Sequence, residues 1–157
     1  MKKKTFIVAF IVLIIDLTSK FVLFKELSIN KTYVIIKNFF SIDLVKNNGA
    51  AFSILENQNI FLISISVIIL IYLLYLLNKQ TTKFINYLSF GLLIGGLFGN
   101  LIDRLFLGYV RDFFSFKIFG YNFAIFNVAD VAIVVGALIL FILCIVGGKH
   151  EVNMWFR

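Results

Sequence analysis

Residues 84–107 read FINYLSFGLLIGGLFGNLIDRLFL and carry no charge before Asp103 and Arg104. Crossing a hydrocarbon core of about 30 Å takes roughly 20 helical residues, and this run supplies them. It also holds Gly91, Gly95 and Gly99 at four-residue spacing, with Gly96 beside them. On a helix that spacing makes a small-residue face against which a neighbouring helix packs closely. Polar groups gather at the C-terminal end, where Asn100, Asp103 and Arg104 stand at i, i+3 and i+4 and share one side. The stretch predicts a membrane-spanning helix with an apolar body and a polar end.

Three more runs of comparable length flank it: 6–24, 60–77 and about 124–148. With 61% hydrophobic residues, 20 Phe and no Pro in 157 positions, a soluble domain would expose large apolar patches. Lipid is therefore the expected solvent. The predicted class is an all-α membrane protein, one domain over 1–157, with four transmembrane helices. The lysines at 2–4 followed by an apolar run resemble a secretory signal, yet no small-residue cleavage pattern follows and Asp16 and Lys20 interrupt the second half, so it reads as helix one. In the connection 25–59, Tyr33, Val34, Ile35 and Ile36, then 39–45, are rich in β-branched and aromatic residues and predict a small external β-rich cradle. Asn47, Asn48, Gly49, Ala50, Ala51 and Phe52 follow as a turn or a surface that a peptide can approach. The short polar link around 78–83 makes helices two and three antiparallel neighbours.

A net charge of +7 would suit nucleic acid, but its distribution does not. Lys2 to Lys4, Lys79, Lys83, Lys149 and Arg157 fall in short segments on one side of a four-span arrangement, which predicts cytoplasmic termini and no nucleic-acid partner. Cys144 is the only cysteine, so neither a disulfide framework nor a thiolate metal site is available, and no metal or cofactor is expected.

With the N-terminus inside, helices one and three run outward and helix four returns. Asp16 and Lys20 then lie in the outer half of helix one, spaced i, i+4 for an ion pair. Asn100, Asp103 and Arg104 end helix three, Asp112 follows just beyond, Asn127 and Asp130 open helix four, and Asn47 and Gly49 belong to the external loop. All converge on one membrane face. Singly, each has a plain structural explanation: Asp103–Arg104 as an interfacial salt bridge, Asn127 as a helix cap, the glycine stripe as packing.

Asp112 and Asp130 resist such explanations, because each is a lone carboxylate in strongly apolar sequence. An ionised Asp at a bilayer centre costs about 2.5 to 3.5 kcal/mol, so such acids face a protein interior or a water-filled pocket. Two carboxylates about 4 Å apart repel by about 4 kcal/mol at an effective dielectric near 20, and so share one proton. The ionised member can take a proton from water while its protonated partner donates to a carbonyl, which is aspartic-protease chemistry. No Ser is paired with Lys or His in a comparable place, and the only His, His150, falls at the opposite face. A small proton-coupled transporter would place its acids near the midplane and show a repeat; a non-catalytic scaffold leaves both acids unexplained. Arg111, directly before Asp112, is expected to reach toward lipid headgroups.

Five motifs occur in order: Asp16-x-x-x-Lys20; the run from Asn47 to Phe52; Gly96-x-x-Gly99-Asn100-x-x-Asp103-Arg104; Val110-Arg111-Asp112-Phe113; and Phe126-Asn127-Val128-Ala129-Asp130. Together the series resembles the lipoprotein signal peptidases (signal peptidase II) over nearly the whole chain. The resemblance implies an intramembrane aspartic endopeptidase of the bacterial cytoplasmic (inner) membrane. Its partners would be membrane lipid and a diacylglyceryl-modified prolipoprotein, cut before the lipidated cysteine, and the cyclic peptide globomycin would inhibit it; a monomer is expected. It further implies Asp112 and Asp130 as the catalytic dyad, Asn47, Gly49, Asn100, Arg104, Asn127 and Ala129 lining the site, and Asp16, Lys20, Gly96 and Asp103 supporting it.

Overall fold

The structure, a computed structural model, describes residues 2–29, 31–49, 55–79 and 84–146. Ala50 to Phe52, Lys83, Gly148, Lys149, His150 and Arg157, all named above, lie outside the described residues. Four helices are present: α1 (Lys2–Glu26), α2 (Asn59–Leu77), α3 (Phe84–Leu107) and α4 (Val128–Val146). By length and composition each is able to cross a membrane. Helices suit that solvent because lipid offers no partners for free backbone N–H and C=O groups.

α3 is the central helix, and its glycines explain why. Gly91 faces Val8 and Thr5, and Gly95 faces Ala9 and Val12, so α1 and α3 run parallel. Gly96 faces Ala129 and Ile133, whereas Gly136 faces Leu93 and Ser89, so α4 runs antiparallel to α3. Missing side chains let three backbones meet. α2 adds Leu70, Leu73, Leu76 and Leu77, which share a buried cluster with Phe90, Leu93 and Ile94 of α3. The opposite faces stay apolar and uncovered, including Phe6 and Phe10 of α1, Ile68 and Ile71 of α2, and Leu138 and Phe141 of α4, as surfaces meeting acyl chains should. A methyl group on Gly96 would lie 2.5 Å from the Ala129 carbonyl oxygen, a backbone atom that cannot swing aside. Gly96→Ala is therefore expected to push α4 off α3 and destabilise the protein by roughly 1 to 3 kcal/mol, read as a lowered thermal unfolding midpoint in detergent.

The chain is not all-α. A four-stranded antiparallel sheet, β1 (Thr32–Ile36), β2 (Phe40–Asn47), β3 (Val110–Ile118) and β4 (Tyr121–Asn122), is ordered β1-β2-β3-β4. The first two strands fall where the β-branched and aromatic run predicts them. β3 was not anticipated, because its partner β2 is remote in sequence and only their pairing, Asn47 opposite Val110 and Val45 opposite Asp112, defines it. Gly108 makes the entry possible: its φ of +82° ends α3, with its N–H on the Arg104 carbonyl at 3.2 Å, and the chain turns back at once.

At the far end of β3, Phe119 and Gly120 both have positive φ (49° and 86°), the two-residue turn suited to a twisted hairpin. The returning chain pairs again with β3: the Phe114 N–H donates to the Phe126 carbonyl at 2.8 Å, and the Phe126 N–H to the Phe114 carbonyl at 3.1 Å. Phe40, Phe116 and Phe126 stack over this crossing, with centroids 4.7 and 5.7 Å apart. For this reason α4 starts at Val128 rather than near 124: backbone groups just upstream are already engaged with β3.

Candidate functional site

Asn127 precedes the first residue of α4 and caps it. Its Oδ1 accepts from the Asp130 N–H at 3.0 Å, while Asp130 Oδ2 accepts from the Asn127 N–H at 3.1 Å, a reciprocal capping arrangement that satisfies otherwise free helix-end donors. The expected cap is thus real, but the same side chain does more. Asn127 Nδ2 donates to Asp112 Oδ1 at 2.6 Å and to Asn100 Oδ1 at 3.1 Å. Asn100 Nδ2 in turn donates to Asp130 Oδ1 at 2.7 Å, and Asn47 Nδ2 to Asp112 Oδ2 at 2.8 Å. Both carboxyls are consequently held by amide donors, and Asn127 touches both.

Four separate elements bring these groups together. β3 supplies Asp112 next to Asn47 of β2, the end of α3 supplies Asn100, and the start of α4 supplies Asp130. Asp112 and Asp130 line one cavity of about 560 Å³ together with Asn47, Asn100 and Arg104, and its remaining wall is apolar, including Phe123, Ile125, Val131 and Val134. Burial, and after it the neighbouring Asp130 carboxylate, pushes Asp112 up to about 7, against the donors Asn47 and Asn127 and the Lys20 charge, which favour the ionised form. Arg104 Nη2 donates to the Gly49 carbonyl at 3.0 Å, and the Gly49 N–H donates to Asn47 Oδ1 at 2.9 Å, so the segment after β2 is tied to the mouth of the site.

Behind the cavity lies a buried ion cluster. Lys20 Nζ stands 2.8 Å from Asp16 Oδ2 and 3.4 Å from Asp103 Oδ2, and it donates to Asn100 Oδ1 at 3.1 Å. Asp16 Oδ1 accepts from the Ala129 N–H at 2.9 Å, joining α1 to the first turn of α4. Gly99 sits against the Asp16 carboxylate, where a side chain would collide. The i, i+4 pairing expected of Asp16 and Lys20 is present, with both side chains fully buried.

Two expectations are corrected here. Asp103 does not pair with Arg104, and Arg111 does not extend toward headgroups: Arg111 Nη2 lies 2.7 Å from Asp103 Oδ1, its Nε 3.2 Å from each carboxylate oxygen, and its N–H donates to Asp103 Oδ2 at 3.0 Å. The buried Asp103 carboxylate requires cations, and the tight turn at Gly108 swings Arg111 back over it. The predicted site residues fall in three groups. Asp112, Asp130, Asn47, Asn100 and Arg104 line the cavity, and Asn127 and Gly49 hold it; Asp16, Lys20 and Asp103 form the ion cluster, and Gly96 and Ala129 make the α3–α4 contact. Sequence reasoning missed the wall residues Phe123 and Ile125; the aromatic run ahead of Asn127 was the available signal.

Four membrane-length helices around two acids, Asp112 buried and Asp130 half-buried, both bonded by Asn127 and opening on an apolar cavity, define a multi-pass membrane protein with an enzyme-like polar centre. Comparison with known proteins names the class: the chain belongs to the family described as Signal peptidase (SPase) II, whose profile matches residues 8–146. A protein of Caldanaerobacter subterraneus subsp. tengcongensis described as a lipoprotein signal peptidase is 44% identical over 142 residues, 90% of this chain and 95% of that one. One of Francisella tularensis subsp. novicida with the same description is 43% identical over 145 residues, 88% and 89% of the two chains. Two solved structures described as bacterial membrane enzymes share the fold, one with a TM-score of 0.87 at 33% identity over 94% of this chain and 90% of that one, the other 0.81 at 35% over 89% and 91%.

Proposed function

We propose that this protein is an intramembrane aspartic endopeptidase that removes signal peptides from diacylglyceryl-modified prolipoproteins, cutting before the lipidated cysteine. The observation that carries the reading is the meeting of Asp112 and Asp130 on one apolar-walled cavity with Asn127 bonded to both. Asp112, held near 7 by burial, is the member that keeps the proton, and Asp130 is the base. Asp130 takes a proton from water as the oxygen attacks the scissile carbonyl, and Asp112 donates its proton to the carbonyl oxygen. Asp130 then returns its proton to the amide nitrogen while Asp112 takes one back from a hydroxyl of the tetrahedral diol, so the carbonyl re-forms, the C–N bond breaks and both acids are restored. Asn100 and Asn127 orient the carboxyls through the hydrogen bonds they already make.

The apolar wall suits a signal segment and acyl chains lying in lipid, and the polar end of the bundle gives access to water. The segment to be cut has to unwind there, because helical carbonyls are already bonded. Globomycin, a cyclic peptide, would occupy this same cavity. The reading places the protein as a monomer in the bacterial cytoplasmic membrane, with the site near the outer face and the termini inside. It requires no nucleic acid and no cofactor.

The direct test incubates the full-length protein in detergent with a diacylglyceryl-modified prolipoprotein and determines the product's mass. Cleavage before the lipidated cysteine is expected; product cut elsewhere, or none, rejects the reading. In the same assay the pH dependence follows from Asp112. Raising the pH through about 7 removes the proton that Asp112 would donate, so kcat/KM is expected to fall on the alkaline side, about tenfold per pH unit once the limb is established. A rate still climbing well above that point would assign the acid to another group.

A further inference from the structure

Arg111 has no part in the reading above, yet it is adjacent to Asp112 and more tightly bonded than any other cation near the site. Neighbouring residues on a strand point to opposite faces, so while Asp112 enters the cavity, Arg111 closes on the end of α3. It grips Asp103 through Nη2 at 2.7 Å and Nε at 3.2 Å, with its own N–H on the same carboxylate. The Arg111 side chain is 16% exposed and that of Asp103 only 1%, so the contact is shielded on the Asp103 side.

Two consequences follow for the acids. First, a strand residue anchored at both backbone and side chain fixes the backbone of the next residue, Asp112. Second, Asp103 is shared between Arg111 and Lys20, and the Arg111 contact is the shorter, 2.7 against 3.4 Å. With Asp103 satisfied by the guanidinium, Lys20 stays within 3.1 Å of Asn100 Oδ1, which orients that amide so that its Nδ2 faces Asp130 at 2.7 Å. Strand and helix routes thus both lead from Arg111 to a carboxyl.

We propose that Arg111 is a positioning residue for the two-acid centre: its guanidinium fork clamps Asp103, and thereby sets the backbone at Asp112 and the Asn100 amide that faces Asp130. The proposal rests on Asp112 and Asp130 as the reacting pair. The charged groups around that pair are Asp16 and Lys20 from α1, Asp103 and Arg104 from α3, and Arg111 itself from β3, with Lys46 of β2 opposite Arg111 in the register.

The test compares wild type, Arg111→Met and Arg111→Lys as full-length protein in detergent, each checked for folding by its thermal midpoint. For Arg111→Met, kcat is expected to fall about ten- to a hundredfold, the scale of a small misplacement of reacting groups, with KM changed by less than about twofold. Carbon-13 NMR of the aspartate carboxyls should show the pair titrating at higher pH, because the Asp103 charge has lost a partner. Arg111→Lys restores charge without the planar fork, so it should return the titration toward wild type and leave kcat reduced. A folded Arg111→Met with wild-type kcat and an unmoved titration makes the contact a structural ion pair and overturns the proposal. Wild type that cuts no prolipoprotein overturns the peptidase reading instead; the carboxyl titration in Arg111→Met still decides whether Arg111 positions the acids.

Discussion

Asp112→Asn and Asp130→Asn should each abolish prolipoprotein cleavage, by about a thousandfold or more, in protein that still folds. The size of the loss follows from the division of labour. Positioned proton transfer contributes roughly 10² to 10⁴ in rate, and here one acid activates water while the other protonates the carbonyl, so neither Asn variant retains a working pair. The substitution is close to isosteric and keeps an oxygen for Asn127, Asn100 or Asn47 to bond, which is why folding should survive. Cleavage by purified protein, set beside thermal unfolding of the same samples, checks both halves. Residual activity within tenfold of wild type in either variant would remove that residue from the dyad.

For Asp112→Asn, stability and activity are expected to move in opposite directions. Asp112 holds its proton up to about 7 in the folded chain but only to its ordinary 3.8 when unfolded, so its contribution is most favourable at low pH and is lost as pH rises across that window. The loss amounts to roughly 4 kcal/mol at most, from about three pK units. Asp112→Asn removes this burden, and its midpoint should therefore equal or exceed that of wild type above neutral pH while activity is gone. A residue kept at a cost to stability is a residue kept for chemistry.

How much of this was legible beforehand depended on the range of the interactions. Spans declare themselves by length and apolarity alone, and the glycine spacing in α3 declares a packing face, so the existence and approximate extent of four helices were readable. The Asp16–Lys20 pair was readable for the same reason, since i and i+4 on one helix are neighbours by construction. β3 was not, because its pairing with β2 joins Asn47 to Val110 and no local pattern encodes that distance. The start of α4 moved for a related reason: Phe126 is occupied by Phe114. Arg111 is the instructive error. A cation beside an apolar run reads as an interfacial anchor, and only the turn at Gly108 shows that it folds back onto Asp103. The site motifs were visible, but the partner of each polar atom required α1, α3, α4 and the β2–β3 pair to be docked first.

Lys20→Met should be the most damaging single change to stability. The Lys20 ammonium is fully buried between Asp16 and Asp103, and Asp16 Oδ2 has no hydrogen-bond donor beyond that ion pair. Removing the cation leaves Asp16 uncompensated and Asp103 dependent on Arg111 alone. Breaking one side of a buried pair costs about 3 to 5 kcal/mol, which for a chain of this size corresponds to a fall of roughly 10 °C in unfolding midpoint. Activity should fall as well, because Asn100 Oδ1 loses one of its two donors, with only Asn127 Nδ2 left to orient its amide toward Asp130. The decisive comparison is a double-mutant cycle with Asp16→Asn. Asn at 16 keeps an oxygen for the Ala129 N–H but carries no charge, so Lys20→Met should be far milder in that background. Equal damage in both backgrounds would mean that Lys20 stabilises by packing its aliphatic stem, and would detach the ion cluster from the support of the two acids.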